Sequence, residues 1–318
     1  MKMKAVLIDR VTPAQSVKLT AIPVPAVKPG WVLVKVKAFG LNHSEKILRL
    51  SEINNRYIRH PVVPGIECVG EIADASDTDF TVGEKVCAVM GGMGRSFNGS
   101  YAEYALLPAH HVFHVDTSLS WAAFAAVPET YLTAWGSLFD CLKIEVDDTL
   151  LVRGATCALG YAAMQIANAL GCRVIATTHR ESKLSLLDDS VEKRLDGGKL
   201  AGELNGVTKV LDLVGPAVLK DSLSAVDEGG IVCQTGILGG IEALRDFDPI
   251  KDIPNGVYLT GYFSNSPTQK IFDDIFRFMD IHHLVPKIGA VFTFDQIKEA
   301  CLTQDKGGAD GKIVVTVE

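Results

Sequence analysis

The 318-residue sequence predicts an α/β protein with two parts, a compact β-barrel-like unit and a doubly wound parallel sheet with helices on both faces. Short alternating strands, separated by turns that carry proline and glycine, fill roughly the first 120 residues. From Thr149 onward, apolar strands alternate with amphipathic helices, which is typical of a parallel sheet. Strand-like segments return at the end of the chain, and we expect them to rejoin the first part.

The strands of the first part are defined by alternation of apolar and polar residues. In chain order they read "KAVLIDR", "GWVLVKVKAFGLN", "CVGEIADA", "EKVCAVM" and "SYAEYALLP". Near Trp121 the composition changes to helix formers, in "WAAFAAVPETYLTAWGSLFDCL". This change marks the passage to the second part.

The second part consists of alternating strands and helices. The predicted strands are "TLLVRGA", "CRVIATT", "KVLDLVG", "GGIVCQTGIL" and "GVYLTGYF", and the helices are "LGYAAMQIANAL", "ESKLSLLD" and "AVLKDSLSAV". A longer helix, "SPTQKIFDDIFRFMDIHHL", precedes the closing strands "KIGAVFTF" and "GKIVVTV".

Bulk composition excludes several classes of function. A hydrophobic content of 47% and a charged content of 22% describe an ordinary globular protein, and the net charge of −7 argues against a nucleic-acid partner. No apolar run suggests a membrane span or a signal peptide. Seven cysteines, an odd number without a CxxC pair, favour the reducing cytoplasm.

The segment "GATCALG", residues 154–160, lies between a predicted strand and a predicted helix. Such a turn places backbone N–H groups at a helix N-terminus, where a pyrophosphate binds. Small residues replace some of the expected glycines, and Cys157 must direct its side chain away from the phosphates. The alternative is an ordinary turn without a ligand.

The end of the following strand selects the coenzyme. An NAD site places Asp or Glu there, whereas this chain has Thr178, Arg180 and, three residues further, Lys183. Hydroxyl groups and cations suit the 2′-phosphate of NADP, so the sequence favours NADPH. The alternative is a solvated basic cluster that Glu181 partly neutralises.

The chain resembles the medium-chain dehydrogenase/reductase superfamily over nearly its whole length. The resemblance rests on "GLNHSEK", "HPVVPGIECVGEI", "VGEKVCAV", "GSYAEYALLP", "VPETYLTAWGSL", "VLDLVG" and "GKIVVTV", which occur in the family's order. It implies a GroES-like β-barrel catalytic domain from residues 1–122 and 269–318 and a Rossmann NADP-binding domain from residues 123–268. It also implies an active site in the cleft between them and a homodimer joined along the Rossmann sheet.

Zinc ligands of the family are replaced in this chain. Asn42 stands at the position of the first catalytic cysteine and Ile66 at that of the histidine, and the four-cysteine structural lobe is missing. Catalytic zinc needs three protein ligands. We therefore expect no metal, and the chain is most similar to the zinc-free quinone oxidoreductase (zeta-crystallin-like) branch. A regrouping of His43, Glu45, Glu67 and Cys68 around a metal is the alternative.

The resemblance assigns roles to individual residues. Asn42 is expected to hydrogen-bond the acceptor carbonyl, against the alternative of a turn-stabilising Asn, and Tyr57 is a candidate for the substrate pocket or for proton donation. Met90, Met93, Arg95 and Phe97 are expected to line that pocket or to form ordinary surface. The expected coenzyme-binding residues are Thr133, Thr156, Ala158, Leu159, Gly160, Thr178, Arg180, Lys183 and Gly236.

The expected activity is hydride transfer from NADPH to a quinone or an activated enone. One rival is an enoyl-thioester or alkenal double-bond reductase, and another is a non-enzymatic NADPH-binding redox-sensing or structural protein. The sequence leaves open the natural acceptor, the proton donor, a regulatory role of Cys157, and dimer versus tetramer.

Overall fold

The computed structural model describes residues 1–240 and 243–317. Contacts within the chain divide it into two units. The first, here called the barrel unit, comprises residues 1–132 and 265–318, and the second, here called the sheet unit, comprises residues 133–264.

The barrel unit begins with a series of β-strands. They are β1 (Lys2–Val6), β2 (Leu19–Pro23), β3 (Trp31–Leu41), β4 (Glu67–Asp74), β5 (Lys85–Val89), β6 (Tyr104–Pro108) and β7 (Val112–His114). Helix α1 (His43–Leu50) follows β3, and α2 (Trp121–Ala125) and α3 (Pro128–Trp135) lead to the unit boundary.

The sheet unit contains parallel strands and the helices that connect them. They are β8 (Thr149–Arg153), α4 (Ala158–Leu170), β9 (Arg173–Thr178), β10 (Glu192–Leu195), β11 (Lys209–Asp212), α5 (Leu219–Ser224), β12 (Ile231–Gln234), α6 (Pro249–Asp252) and β13 (Tyr258–Gly261). A π-helical turn, Gly136–Cys141, follows α3. The predicted helix at "ESKLSLLD" is a 3-10 turn, Glu181–Leu186, and the polar strand β10 was not predicted.

The chain then returns to the barrel unit. It adds α7 (Gln269–Ile281), β14 (Ile288–Thr293), α8 (Ile297–Asp305) and β15 (Lys312–Thr316). Strand β15 pairs with β3 and with β14, so residues from the two ends of the chain share one sheet.

The barrel sheet is organised around the long strand β3. Its order is β14-β15-β3-β4-β5-β7, and β6 also pairs with β3. One edge of β3 thus pairs with β6 near Trp31 and with β15 near Leu41, while β4 covers the other edge. Apolar side chains from these strands and from α1 and α8 form the core, among them Val34, Phe39, Leu48, Val86, Leu107 and Val315.

The sheet unit has the strand order β10-β9-β8-β11-β12-β13, and all five pairs are parallel. The chain starts at β8 in the middle, runs outward to β10, returns, and continues outward to β13. This order confirms the predicted doubly wound sheet and puts the reversal of direction between β8 and β11, where such sheets bind ligands.

Candidate active site

The carboxyl ends of the parallel strands carry most of the predicted coenzyme-binding residues. Residues 154–160 follow β8, Thr178 ends β9, and Gly236 follows β12. Because parallel strands end at the same edge of a sheet, these segments share one edge. That edge flanks the reversal between β8 and β11, where a dinucleotide is bound in this type of sheet.

Helix α4 offers free donors at its N-terminus. The N–H groups of Ala158 and Leu159 have no hydrogen-bond partner within the described chain. The helix dipole places partial positive charge there as well. Cys157 is the N-cap residue, and its thiol accepts a hydrogen bond of 3.4 Å from the N–H of Gly160. The thiol therefore folds back on the helix and occupies one of the donors that the sequence assigned to the pyrophosphate.

Gly160 lets α4 pack closely on the preceding loop. A Cβ atom at this position would overlap the backbone of Ala155, at its Cα, carbonyl carbon and carbonyl oxygen. The glycine is thus required for close packing of helix against strand, which is one of its functions in a dinucleotide-binding turn.

The end of β9 presents hydroxyl groups and cations. Thr178 is buried, and its hydroxyl accepts hydrogen bonds of 3.3 Å from the Thr156 hydroxyl and from the Arg180 N–H. The Arg180 guanidinium contacts the His179 ring. Neither the Arg180 guanidinium nor the Lys183 ammonium pairs with a carboxylate among the described residues. Two unneutralised cations therefore lie directly beyond the buried threonine.

A buried ion-pair network that the sequence did not reveal supports this edge. Arg153, the last residue of β8, is fully buried and contacts Asp196 and Asp221 at 2.8 Å each. Burial opposes ionisation of Asp196, but hydrogen bonds and charge from Arg153 outweigh it and lower the pKa of this carboxyl. Asp196 also accepts a hydrogen bond of 3.2 Å from Thr177, so the network fixes the strand ends beside the loop. An arginine at the end of the apolar run "TLLVR" was the available signal.

The loops after β11 and β12 are joined by Asp212. Its backbone carbonyl accepts hydrogen bonds from the N–H groups of Thr235 and Gly236, at 3.0 and 3.2 Å. Its carboxylate accepts hydrogen bonds from Ser222 and from two N–H groups of the β11 loop, yet burial raises its pKa. Gly236 is thereby held at the carboxyl edge. Thr133 is buried in α3.

In the barrel unit, the Asn42 amide belongs to a buried polar cluster. Its oxygen accepts a hydrogen bond of 2.6 Å from Lys312, and its nitrogen donates one of 2.8 Å to Glu67. Lys312 and Glu67 form an ion pair of 2.6 Å, and both side chains are almost completely buried. The second N–H of Asn42 lies 3.5 Å from Glu45, at the limit of a hydrogen bond. This contact is the longest of the three that the amide makes.

The ion pair crosses strand β3 at a glycine. A Cβ atom on Gly40 would overlap Lys312 and Glu67, which come from the strands on either side of β3. The second buried carboxylate, Glu45, accepts hydrogen bonds from the N–H groups of Asn42 and Ile66, at 2.8 and 3.0 Å. Burial raises the pKa of Glu45. The cluster thus contains two carboxylates and one ammonium, and it holds Asn42 in one orientation.

Tyr57 lies on the surface of the barrel unit with 61% of the residue exposed. Its hydroxyl donates a hydrogen bond of 2.6 Å to Glu52, which raises the pKa of the tyrosine. A raised pKa makes the phenol a weaker proton donor. The exposed ring is the part of Tyr57 that is free to contact another molecule.

The segment after β5 folds onto the barrel unit. Met93 is buried in the core, and Phe97 packs edge-to-face on Trp31 with ring centroids 5.3 Å apart. Arg95 pairs with Glu52 at 2.8 Å. These three residues are engaged within the barrel unit, and no group of three metal-ligating side chains occurs in the part of the chain that the structure describes.

Comparisons with known proteins agree with this architecture. The profile of the alcohol dehydrogenase GroES-like domain matches residues 28–117, and that of the zinc-binding dehydrogenase matches residues 188–315. The human quinone oxidoreductase is 28% identical over 98% of this chain and 97% of its own length. These matches confirm the expected family and the GroES-like domain.

Solved structures share the fold over its whole length. A mycobacterial protein solved in complex with NADPH has a TM-score of 0.84 at 22% identity, and covers 99% of both chains. The CurK enoyl reductase has a TM-score of 0.83 at 19% identity, over 100% of both chains. No helix among the described residues is long and apolar enough to traverse a bilayer.

Proposed function

Because the chain belongs to the medium-chain dehydrogenase/reductase superfamily and is an oxidoreductase, we propose that it is an NADPH-dependent reductase that transfers a hydride to a quinone or an activated enone without zinc. The single observation that carries the proposal is the carboxyl edge of the sheet unit. There, N–H groups at the start of α4 that have no hydrogen-bond partner adjoin a strand end with two cations, and neither cation pairs with a carboxylate among the residues that the structure describes.

The choice of NADPH rests on Thr178, Arg180 and Lys183. A carboxylate at this position would accept hydrogen bonds from the ribose of NAD and would repel a 2′-phosphate. Here the two side-chain cations are free to form charge-assisted hydrogen bonds with that phosphate, each of which contributes ~1.5–3 kcal/mol. One such bond corresponds to a preference of about tenfold to a hundredfold for NADPH.

The remaining coenzyme contacts are assigned by position along the same edge. Thr156, Ala158 and Leu159 supply N–H groups to the pyrophosphate, and Gly160 permits the close approach. Gly236 and Thr133 contact the nicotinamide half of the coenzyme. NADPH, when bound, supplies the hydride.

Asn42 is the proposed contact for the acceptor carbonyl. Its amide oxygen accepts a hydrogen bond from Lys312, which polarises the amide and strengthens as a donor the N–H that makes only the long, 3.5 Å contact with Glu45. A donor fixed in this way stabilises negative charge that develops on a carbonyl oxygen. We propose that the exposed ring of Tyr57 contacts the acceptor and that solvent supplies the proton, since the pKa of Tyr57 is raised.

The side chains at the two ligand positions support the proposed independence from zinc. Asn42 is fixed by Lys312 and Glu67, and Ile66 carries an alkyl group that binds no metal. Metal analysis of the purified protein tests this directly. Stoichiometric zinc that is required for turnover would refute it.

An enoyl-thioester or alkenal reductase is the second candidate, and the fold shared with the CurK enoyl reductase favours it. NADPH oxidation with a naphthoquinone, an enone and a crotonyl thioester, measured side by side, separates the two. We expect the highest kcat/KM with the quinone. Turnover of the thioester alone would favour the second candidate, and binding of NADPH without turnover of any acceptor would support a non-enzymatic protein.

Coenzyme selection is tested with Arg180→Ala. We expect the Kd for NADPH to rise about tenfold to a hundredfold and the Kd for NADH to stay unchanged. Lys18→Ala is the charge-matched control, because Lys18 is exposed in the barrel unit and has no ion-pair partner within the described chain. Equal affinities of the unmodified protein for NADH and NADPH would contradict the assignment.

We also propose that the chain forms a homodimer through β13. This strand is at the end of the sheet order, so one of its edges has no partner strand among the described residues. Tyr258 and Phe263, at or just beyond its ends, are 62% and 76% exposed. A free edge flanked by large apolar side chains is suited to pairing with a second copy. Sedimentation equilibrium tests the dimer, and cytoplasmic location remains a prediction from the cysteine content.

A further inference from the structure

One face of the π-helical turn packs on one face of strand β12. Ser137 and Cys141 lie one helical turn apart, and Thr235, which directly follows β12, lies two residues after Cys233. The Ser137 and Thr235 hydroxyl oxygens are 3.0 Å apart, and the Cys233 sulfur is 3.3 Å from the Thr235 hydroxyl. Ser137 on the helical turn therefore faces Thr235. Cys141, one turn further along, is then placed opposite Cys233.

The hydrogen bond of the Cys141 thiol agrees with this placement. Cys141 donates to the backbone carbonyl of Gly261 in β13, with the sulfur 3.5 Å from the oxygen. In the parallel pair of β12 and β13, Gly261 stands beside Gln234 and Thr260 stands beside Cys233. The Cys141 sulfur therefore lies over the strand pair next to Cys233, and its charge contributes to the raised pKa of that thiol.

The two sulfurs differ in their access to solvent. Cys141 is partly exposed, whereas Cys233 is buried, and neither takes part in a disulfide bond. A small oxidant from solvent therefore reaches Cys141 first. The oxidised sulfur of Cys141 then lies next to the buried thiol of Cys233.

We propose that Cys141 and Cys233 are a redox-active pair that closes a reversible disulfide when a peroxide oxidises Cys141. In the first step the Cys141 sulfur attacks the peroxide, which breaks the O–O bond, forms a sulfenic acid and releases one water from hydrogen peroxide. In the second step Cys233 attacks the Cys141 sulfur, forms the S–S bond and releases the second water. A dithiol reductant returns both thiols and takes up the oxidising equivalents as its own disulfide.

The second step sets the pH dependence. Burial raises the pKa of Cys233 to about 12, while its hydrogen bond to Thr235 has the opposite effect. Because the thiolate is the nucleophile, only a small fraction of Cys233 reacts at neutral pH. The rate of disulfide closure is therefore expected to rise about tenfold per pH unit between neutral and mildly alkaline pH.

The test is peroxide treatment of the full-length protein, followed by alkylation of the remaining thiols and peptide mass spectrometry. We expect a peptide pair that joins Cys141 to Cys233 within one chain, with loss of both thiols and recovery of both upon addition of dithiothreitol. Cys141→Ser and Cys233→Ser should each abolish the joined peptides. Cys157→Ala is the matched control, because Cys157 is also partly exposed, and it should leave the joined peptides unchanged.

Three outcomes would overturn the proposal. The first is oxidation of Cys141 to a sulfinic acid without the joined peptides, which would show that Cys233 does not reach it. The second is a Cys141 disulfide between two chains or with another cysteine. The third is a rate of closure that does not change with pH.

Discussion

Replacing Lys312 by methionine removes the only ammonium that pairs with the buried carboxylates of the barrel unit, within the described chain. The Lys312 nitrogen is 2.6 Å from a carboxylate oxygen of Glu67 and 2.6 Å from the amide oxygen of Asn42. At an effective dielectric constant near 20, the Coulomb attraction of the ion pair is ~6 kcal/mol. Desolvation of both ions offsets part of it, and loss of one partner from a buried pair costs about 3–5 kcal/mol.

Urea unfolding followed by tryptophan fluorescence measures this loss. In a Trp135→Phe background, the remaining tryptophans, Trp31 and Trp121, both belong to the barrel unit. With a urea m-value of about 2 kcal/mol per molar, the transition midpoint of Lys312→Met should fall by about 1.5–2.5 M.

Two further variants decide whether the uncompensated carboxylate is the cause. Glu67→Gln removes the charge that Lys312 neutralises, so the double variant should be more stable than Lys312→Met alone. Lys35→Met is the control, since Lys35 is exposed on β3 and has no ion-pair partner in the described part of the chain. The reasoning is refuted if Lys312→Met costs no more than Lys35→Met, or if Glu67→Gln recovers nothing.

Three other predictions concern the sheet unit. Gly160→Ala should destabilise it by about 1–3 kcal/mol in thermal unfolding, because the new methyl group overlaps backbone, whereas Gly197→Ala, where nothing lies within 4 Å, should have little effect. Cys157→Ala frees the N–H of the helix start that the thiol occupies, so NADPH should bind up to about fivefold more tightly by calorimetry, and weaker binding would contradict this. Asp196 has a lowered pKa in the folded state, so its ion pair with Arg153 stabilises the fold at pH values above the unfolded-state pKa of 3.8. This stability is lost as the pH falls through the folded-state pKa. In acid titrations, the difference in stability between the unmodified protein and Asp196→Asn should be constant from pH 7 to 5 and should shrink below about pH 4.

The parallel sheet was predictable because its strands are apolar and its helices amphipathic. Strand β10 was not predicted, because "EKRL" is a polar strand at the end of the sheet and contains no apolar run. The 3-10 turn at Glu181–Leu186 resembles a helix in sequence, yet it spans only six residues and contains no buried residue, so packing does not extend it.

At the candidate site, residues within one loop were predictable and contacts between distant segments were not. The small residues of 154–160 indicate a tight turn from the sequence alone. The hydrogen bond from Gly160 to the Cys157 sulfur depends on a side-chain rotamer that no pattern specifies. The pairing of Lys312 with Glu67 needs the register of three strands, which a single sequence does not contain. Only the presence of a charge at the start of each of two apolar strands pointed to it.

The arrangement of the chain also sets an order for folding during synthesis. The sheet unit is one continuous segment, residues 133–264, and can fold as soon as it leaves the ribosome. The barrel unit cannot, because Lys312 is made only after the whole sheet unit and strand β15 must still add to β3. Until then the newly made N-terminal segment has a missing strand and a carboxylate without its counter-ion. A nascent chain stalled before residue 312 should therefore contain a protease-resistant sheet unit next to a protease-sensitive N-terminal segment.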